Sequence, residues 1–362
     1  MCLQKMKASV IRLVKHLSYN SQTRHEKDFM KQLLETLTET FGPSGYEDEV
    51  RKVILKEIKS IADETRVDAL GNLIARKRAT KNVKNPKKIM LAAHMDEIGV
   101  IASHIDKNGF IRFSNVGGTF GRYTLGARVR FMNGVTGVVG YDRLENIDSI
   151  LPINKMYIDV GAKSKQDCPI KVGDFGAFER SFIDMGNRWV AKSMDDRSGV
   201  VVLIETMRAI KSSPHDLYFV FTTQEEVSLR GAKSAAYSID PDIGIAVDVT
   251  ATGDTPASIK MAMELGNGPC VKIRDSGMIS DPRVIDWMIQ TAEKSKIPYQ
   301  REVLVGGTTD ASVIQISRSG VMAGALSIPC RYVHSASEMV DVDDLKNSVK
   351  LLTAMLSKPI SF

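Results

Sequence analysis

Cysteine is scarce and scattered: Cys2, Cys168, Cys270 and Cys330 stand far apart, with no CxxC spacing. This argues against both a disulfide scaffold and a thiolate zinc site, and it fits a reducing cytoplasm. Long apolar runs are missing too. No stretch approaches the roughly 20 uninterrupted apolar residues that span a bilayer, so a membrane protein is not expected. Acidic residues are absent from the first 25 positions, MCLQKMKASVIRLVKHLSYNSQTRH, which carry scattered Lys and Arg. An organellar presequence has that composition, and the run is too interrupted for a secretory signal. A helical pattern starts cleanly near Lys27, with Met30 close by, so residues 1–25 read as a disordered basic tail or the product of an upstream start. Aromatics do not interleave the basic run RKRATKNVKNPKK (76–88). With a net charge of only +6 over 362 residues, that run reads as a solvated loop rather than a nucleic-acid contact.

What is present is ordinary for a soluble globular chain, 43% hydrophobic and 25% charged. The length implies one large domain or a core with an inserted module. KDFMKQLLETLTETF has helical spacing and is closed by GPSG; Ser44 and Glu47 then look like a capping box opening a second helix, YEDEVRKVILKEIKSI. TRVDALGNLIARK reads as a strand pair turning at Gly71-Asn72, and KIMLAAH as a strand buried on both faces. From about 100 to 190 the texture becomes short β segments, with Asn108-Gly109 and Asn133-Gly134 as hairpin signals. Strands and helices alternate again afterwards, through RSGVVVLIETMRAIKSS, LYFVFTT, GAKSAAYSI, IGIAVDVT, DPRVIDWMIQTAEKSK and VMAGALSIP, to a final helix from Asp341 through Leu356. The expected fold is α/β: an open, mostly parallel sheet flanked by helices, with a small β-rich, barrel-like insert. The expected division is a tail (1–25), a catalytic domain (26–99 and 191–362) and the insert (100–190).

In such sheets ligands collect outside the carboxyl ends of the strands. KIMLAA ends at His94-Met95-Asp96-Glu97, LYFVFTTQ at Glu225-Glu226 and IGIAV at Asp248; VMAGALSIP is followed by CRYVHSASE with His334. Asp195 and Asp196 stand at the start of the helix RSGVVVLIETM on the same side. Any one of these has a plain explanation as a cap or a polar turn. Together, five carboxylates and two imidazoles would repel one another and raise carboxylate pKa values, a conflict that divalent cations resolve. Imidazole and carboxylate without thiolate suit Zn, Co or Mn. On an extended segment Glu225 and Glu226 would point in opposite directions, one as ligand and the other as general base for an activated water.

In this order the residues resemble the M42 family of dinuclear metallo-aminopeptidases, glutamyl aminopeptidase-like enzymes that include tetrahedral, TET-like dodecamers. The matching pieces are AAHMDEIG, YIDVGAKS, KSMDDRSG, QEEVSLRGA, VDVT, GGTTDAS and YVHSASE, and the resemblance runs from about residue 28 to 358. It implies two metal ions per subunit: His94 and Asp248 on one, Glu226 and His334 on the other, and Asp195 bridging. Glu225 would be general base and acid, and Asp96 would orient the His94 ring. The Asp195-Asp196 peptide would be cis, the insert a dimerisation module, and Asp310 close to the active site. Ser228 departs from the family, which usually has glycine there, and the basic tail has no counterpart.

The expected function is therefore a cytoplasmic, homo-oligomeric aminopeptidase acting on peptides with a free N-terminus, without nucleic-acid or membrane partners. A related metal-dependent deacylase or carboxypeptidase is the alternative. A glycosidase is disfavoured, because it needs two carboxyls facing each other at roughly 5 to 9.5 Å. A non-catalytic scaffold has no use for a spare base such as Glu225.

Overall fold

The computed structural model describes residues 27–80, 83–143 and 152–360. The basic tail assigned to residues 1–25 lies outside the described residues. Two amphipathic helices come first. Helix α1 (27–39) buries Met30, Leu33, Leu34 and Leu37, three and four apart on one face. Helix α2 (Asp48–Ile58) buries Val50, Ile54 and Ile58. The capping box expected from Ser44 and Glu47 does not form, and α2 starts without a side-chain cap. Both side chains are drawn elsewhere. Ser44 Oγ donates to Asp96 Oδ2 at 2.6 Å, and Glu47 Oε1 accepts from the amides of Gly45 and Gln224 at 2.7 and 3.1 Å.

Strands β1 (Glu64–Val67) and β2 (Leu73–Lys77) form the expected antiparallel pair, followed by β3 (Lys88–His94). The chain then builds a closed barrel from β4 (Gly99–Ile105), β5 (Ile111–Val116), β6 (Arg128–Phe131), β7 (Thr136–Tyr141), β8 (Met156–Asp159) and β9 (Phe175–Glu179), ordered β4-β5-β8-β7-β6-β9. A one-turn helix, α3 (Gly121–Thr124), lies between β5 and β6. The β4–β5 and β6–β7 hairpins turn at Asn108-Gly109 and Asn133-Gly134, with the glycines at φ 91° and 85°. Val100, Ile111, Phe113, Val129, Phe131 and Ile158 fill the barrel as a core of its own.

Strands β10 (Ile183–Asp184) and β11 (Arg188–Ala191) fall within the stretch read as the insert, yet they belong to the large sheet: β11 pairs with β17 (Glu338–Asp341). Trp189, on β11, is fully buried in the main core, and that burial fixes the pairing. The remaining elements are α4 (Met194–Ala209), β12 (Asp216–Thr222), α5 (Arg230–Ile239), β13 (Ile243–Ala251), β14 (Cys270–Arg274), α6 (Pro282–Ser295), β15 (Gln300–Val303), α7 (Ala311–Gln315), β16 (Met322–Arg331) and α8 (Val342–Leu356).

The sheet order is β1-β2-β12-β3-β13-β16-β17-β11-β10, with β14 and β15 attached beside β16. Its centre, β12-β3-β13-β16, is parallel. The flanks pair antiparallel. The central strands are apolar almost end to end because helices cover both faces. Their carboxyl ends therefore open together at one edge, beside the barrel.

Candidate functional site

Five segments meet at that edge. His94 is the last residue of β3. Glu225 and Glu226 follow β12. Asp248 lies within β13, which runs on to Ala251 rather than ending there. His334 lies in the link between β16 and β17. Asp195 and Asp196 enter at the head of α4, where the backbone is not yet helical and the peptide bond between them is cis. All five expected ligand residues, with Glu225 and Asp96, are thus brought into one cluster.

Asp195 stands between the imidazoles. Its Oδ1 lies 2.9 Å from His94 Nε2, and its Oδ2 lies 3.3 Å from His334 Nε2. Glu226 Oε1 is 3.4 Å from His334 Nε2. Glu225 Oε2 and Asp248 Oδ1 are each 4.0 Å from His94 Nε2. His94 Nδ1 faces the Asp96 backbone oxygen at 3.0 Å and the Asp96 carboxylate at 3.5 Å. A carbonyl oxygen only accepts, so Nδ1 carries a proton and Nε2 is the nitrogen turned to the cluster.

Glu225 and Glu226 diverge, but not by the alternation of an extended strand. They sit in a turn whose Glu225 carbonyl accepts from the amides of Ser228 and Leu229. Asp96 receives both of their own amides, Glu225 N–H at 3.0 Å and Glu226 N–H at 3.2 Å. With Ser44 as a third donor, this carboxylate fixes the turn that aims one glutamate toward each imidazole. Burial would raise Asp96, but the hydrogen bond and charge of His94, helped by Ser44 and the Glu225 amide, hold it below its ordinary value.

The electrostatics are those of a site that demands positive charge. Burial pushes Asp248 up to about 8, with Asp195 adding to it. Burial likewise drives Glu225 well above its ordinary value, against the charge of His94 and with that of Asp248. Burial opposes charge on His334, yet its hydrogen bonds to Asp195 and Glu226 push its pKa up to about 12. His94, also buried, is held well above its usual value by Asp195 and Asp96. Protons on the two imidazoles meet part of the demand that a divalent cation would meet.

The donor set fits such a cation. Ligand atoms of His94, Asp195 and Glu226 lie within 4.8 Å of one another, as do those of His94, Asp196 and Asp248. Nitrogen and carboxylate oxygen without thiolate is a donor chemistry for first-row divalent ions. Asp196 is already committed: its two oxygens accept from the amides of His94 and Gly199 at 3.2 and 2.9 Å. Asp195 instead borders the cleft. That cleft, about 820 Å³, is bounded by Asp195, Glu225, Glu226, Asp248 and His334 at one end. A second cavity of about 690 Å³, between the barrel and β17, has Glu179 as its only acidic wall and no histidine among the described residues.

Residues 71–351 match the family model described as M42 glutamyl aminopeptidase. The chain belongs to the M42 peptidase family. A putative aminopeptidase of Acetivibrio thermocellus is 46% identical over 90% of this chain and 98% of that one. Among solved structures, an aminopeptidase from the archaeon Desulfurococcus kamchatkensis superposes with TM-score 0.88 at 39% identity, covering 92% of this chain and 96% of its own. The Pyrococcus horikoshii TET1 peptidase, described as assembling into a tetrahedron or a large octahedral shell, gives TM-score 0.80 at 34% identity over 91% of this chain and 100% of its own.

Three residues of this M42 chain have roles that sequence reasoning missed. Asp196 anchors the end of β3 through the His94 amide. Glu338 is buried, and its oxygens accept from the amides of Asp195 at 2.9 Å and His334 at 2.7 Å, tying two segments of the cluster to one carboxylate. Ser44 carries the pattern of a helix cap but serves Asp96. Nothing in local sequence flags these roles, because each contact spans at least 52 residues apart from Glu338 with His334. Asp310 lies at the head of α7 and accepts from Thr222 Oγ1 at 2.6 Å. Burial pushes it up to about 6, and its charge reaches Glu225 and Asp248.

Proposed function

We propose that the chain is a dinuclear metallo-aminopeptidase that removes the N-terminal residue from short peptides. The observation that carries this reading is Asp195, whose two oxygens face different imidazoles, His94 at 2.9 Å and His334 at 3.3 Å. In this reading His94 and Asp248 would hold one divalent ion, Glu226 and His334 a second, and Asp195 would contribute to both. When bound, the ions supply a water of lowered pKa and a Lewis acid for the scissile carbonyl.

The chain's own residues do the rest. Glu225 takes the proton of the attacking water and returns it to the departing amine nitrogen. Burial raises its pKa, which makes its carboxylate a stronger proton acceptor for the first of these steps. Asp96 keeps the His94 ring and the Glu225–Glu226 turn in register, and Glu338 does the same for Asp195 and His334.

Assembly is read from the same family. The barrel leaves Met132, Val138 and Val172 at 50%, 50% and 63% exposure, apolar surface that a homo-oligomer would cover. Among the described residues no helix is long and apolar enough to cross a membrane. Cys168, Cys270 and Cys330 are unpaired, which supports a reducing cytoplasm.

The test compares one peptide with a free N-terminus against its N-acetylated form, with chelator and after metal is restored. Cleavage of the free-amine peptide from its N-terminus, lost in chelator and regained with metal, is expected. Preferential cleavage of the acetylated peptide, or release from the C-terminus, would assign the deacylase or carboxypeptidase alternative instead.

A further inference from the structure

The cleft does not end at its carboxylates. Past Asp248, β13 continues along the cavity through Val249, Thr250 and Ala251. The walls of this lobe are Ile259 and Met261, from the loop after β13, and Leu304 and Val305, from the loop after β15. Ile259 is 76% exposed and Val305 85% exposed. Large apolar side chains left this bare at the wall of a cavity are covered by whatever fills it.

Charge is nearly balanced on this side. Lys272 is the only lysine or arginine bordering the cavity among the described residues. Its Nζ lies 2.7 Å from Glu302 and 3.6 Å from Asp275, both fully buried. Lys272 Nζ is fully buried between these two carboxylates, which offset its charge without good hydrogen-bond geometry, so it presents no surface to an acidic side chain. Neither carboxylate borders the cavity. A basic side chain would meet mostly apolar walls there, with the hydroxyls of Thr250, Thr308 and Thr309 and no carboxylate beyond the cluster itself.

We infer that this lobe receives the side chain of the substrate's N-terminal residue and selects large uncharged apolar ones, of the leucine, methionine and phenylalanine class, over acidic and basic ones. The inference rests on the aminopeptidase reading: the scissile bond must reach the carboxylate and imidazole cluster, and these walls border the same cleft. Each methylene buried in an apolar pocket contributes roughly 10- to 200-fold in kcat/KM. A charged side chain there would be desolvated without a partner.

The test is kcat/KM of the metal-loaded, full-length protein on the p-nitroanilides of Leu, Met, Phe, Ala, Glu and Lys. Free leucine, glutamate and lysine are compared in parallel as competitive inhibitors. Leu or Met is expected to exceed Ala by at least tenfold and to exceed Glu and Lys by more, with leucine the strongest inhibitor. Met261→Ala and Val305→Asp should each shrink the Leu-to-Ala ratio by about tenfold. Turnover led by Glu or Lys would overturn this inference and leave the aminopeptidase reading standing. Silence across the panel with metal bound would overturn both.

Discussion

Ser44 Oγ, in the loop ahead of α2, lies 2.6 Å from Asp96 Oδ2 beyond the end of β3. Asp96 in turn holds the amides of Glu225 and Glu226 and faces the His94 ring, so one hydroxyl supports the carboxylate on which three site residues depend. Ser44→Ala is expected to lower metal affinity or kcat/KM by about tenfold while the protein stays folded, the usual effect of removing a group that orients metal ligands. Metal titration and steady-state kinetics on the same preparation check it. Unchanged values in both would detach Ser44 from the site.

Metal uptake should release protons. His334 is pushed up to about 12 and Asp248 up to about 8, so both hold protons at neutral pH when no cation competes. Ligation needs neutral imidazole and ionised carboxylate, so these protons must leave as an ion binds. Apparent affinity is expected to rise from pH 6 to pH 8. Calorimetric heats should change with the buffer's ionisation enthalpy. An affinity flat across this range, with no buffer dependence, would contradict protonated His334 and Asp248 in the metal-free protein.

Ser228 stands at φ 90° in the turn that carries Glu225 and Glu226, a region that favours glycine. A glycine at this place would have a backbone reason. Ser228→Gly is expected to stabilise the protein by about 1 kcal/mol, measured as a shift in denaturant midpoint at constant slope. A destabilised variant would mean that the Ser228 side chain makes a contribution larger than its backbone cost.

The parts of this site legible in the sequence were those that end apolar strands. KIMLAAH and LYFVFTT are buried on both faces, so the polar residues that follow them had to emerge at one edge. The flanking strands were less legible. β14 carries Lys272 and β15 carries Glu302, and both look polar until the fold buries them against each other. β17 is only four residues long, and its first residue, Glu338, looks like part of a loop motif. Ser44 and Glu47 carry the pattern of a cap, but Ser44 serves the Asp96 carboxylate and Glu47 the amides of neighbouring Gly45 and distant Gln224, and the tertiary fold alone brings Asp96 and Gln224 close. Local pattern names a residue's options, and long-range contacts choose among them.

The central claim is that the cluster hydrolyses peptides with Glu225 moving the proton. Its most direct test is single-turnover hydrolysis of a free-amine peptide by the wild-type protein and by Glu225→Gln, with bound metal counted in both. The expected result is equal metal content, near two ions per chain, and a rate at least about 100-fold lower in the variant. A variant that keeps its metal and cleaves at the wild-type rate would contradict the account.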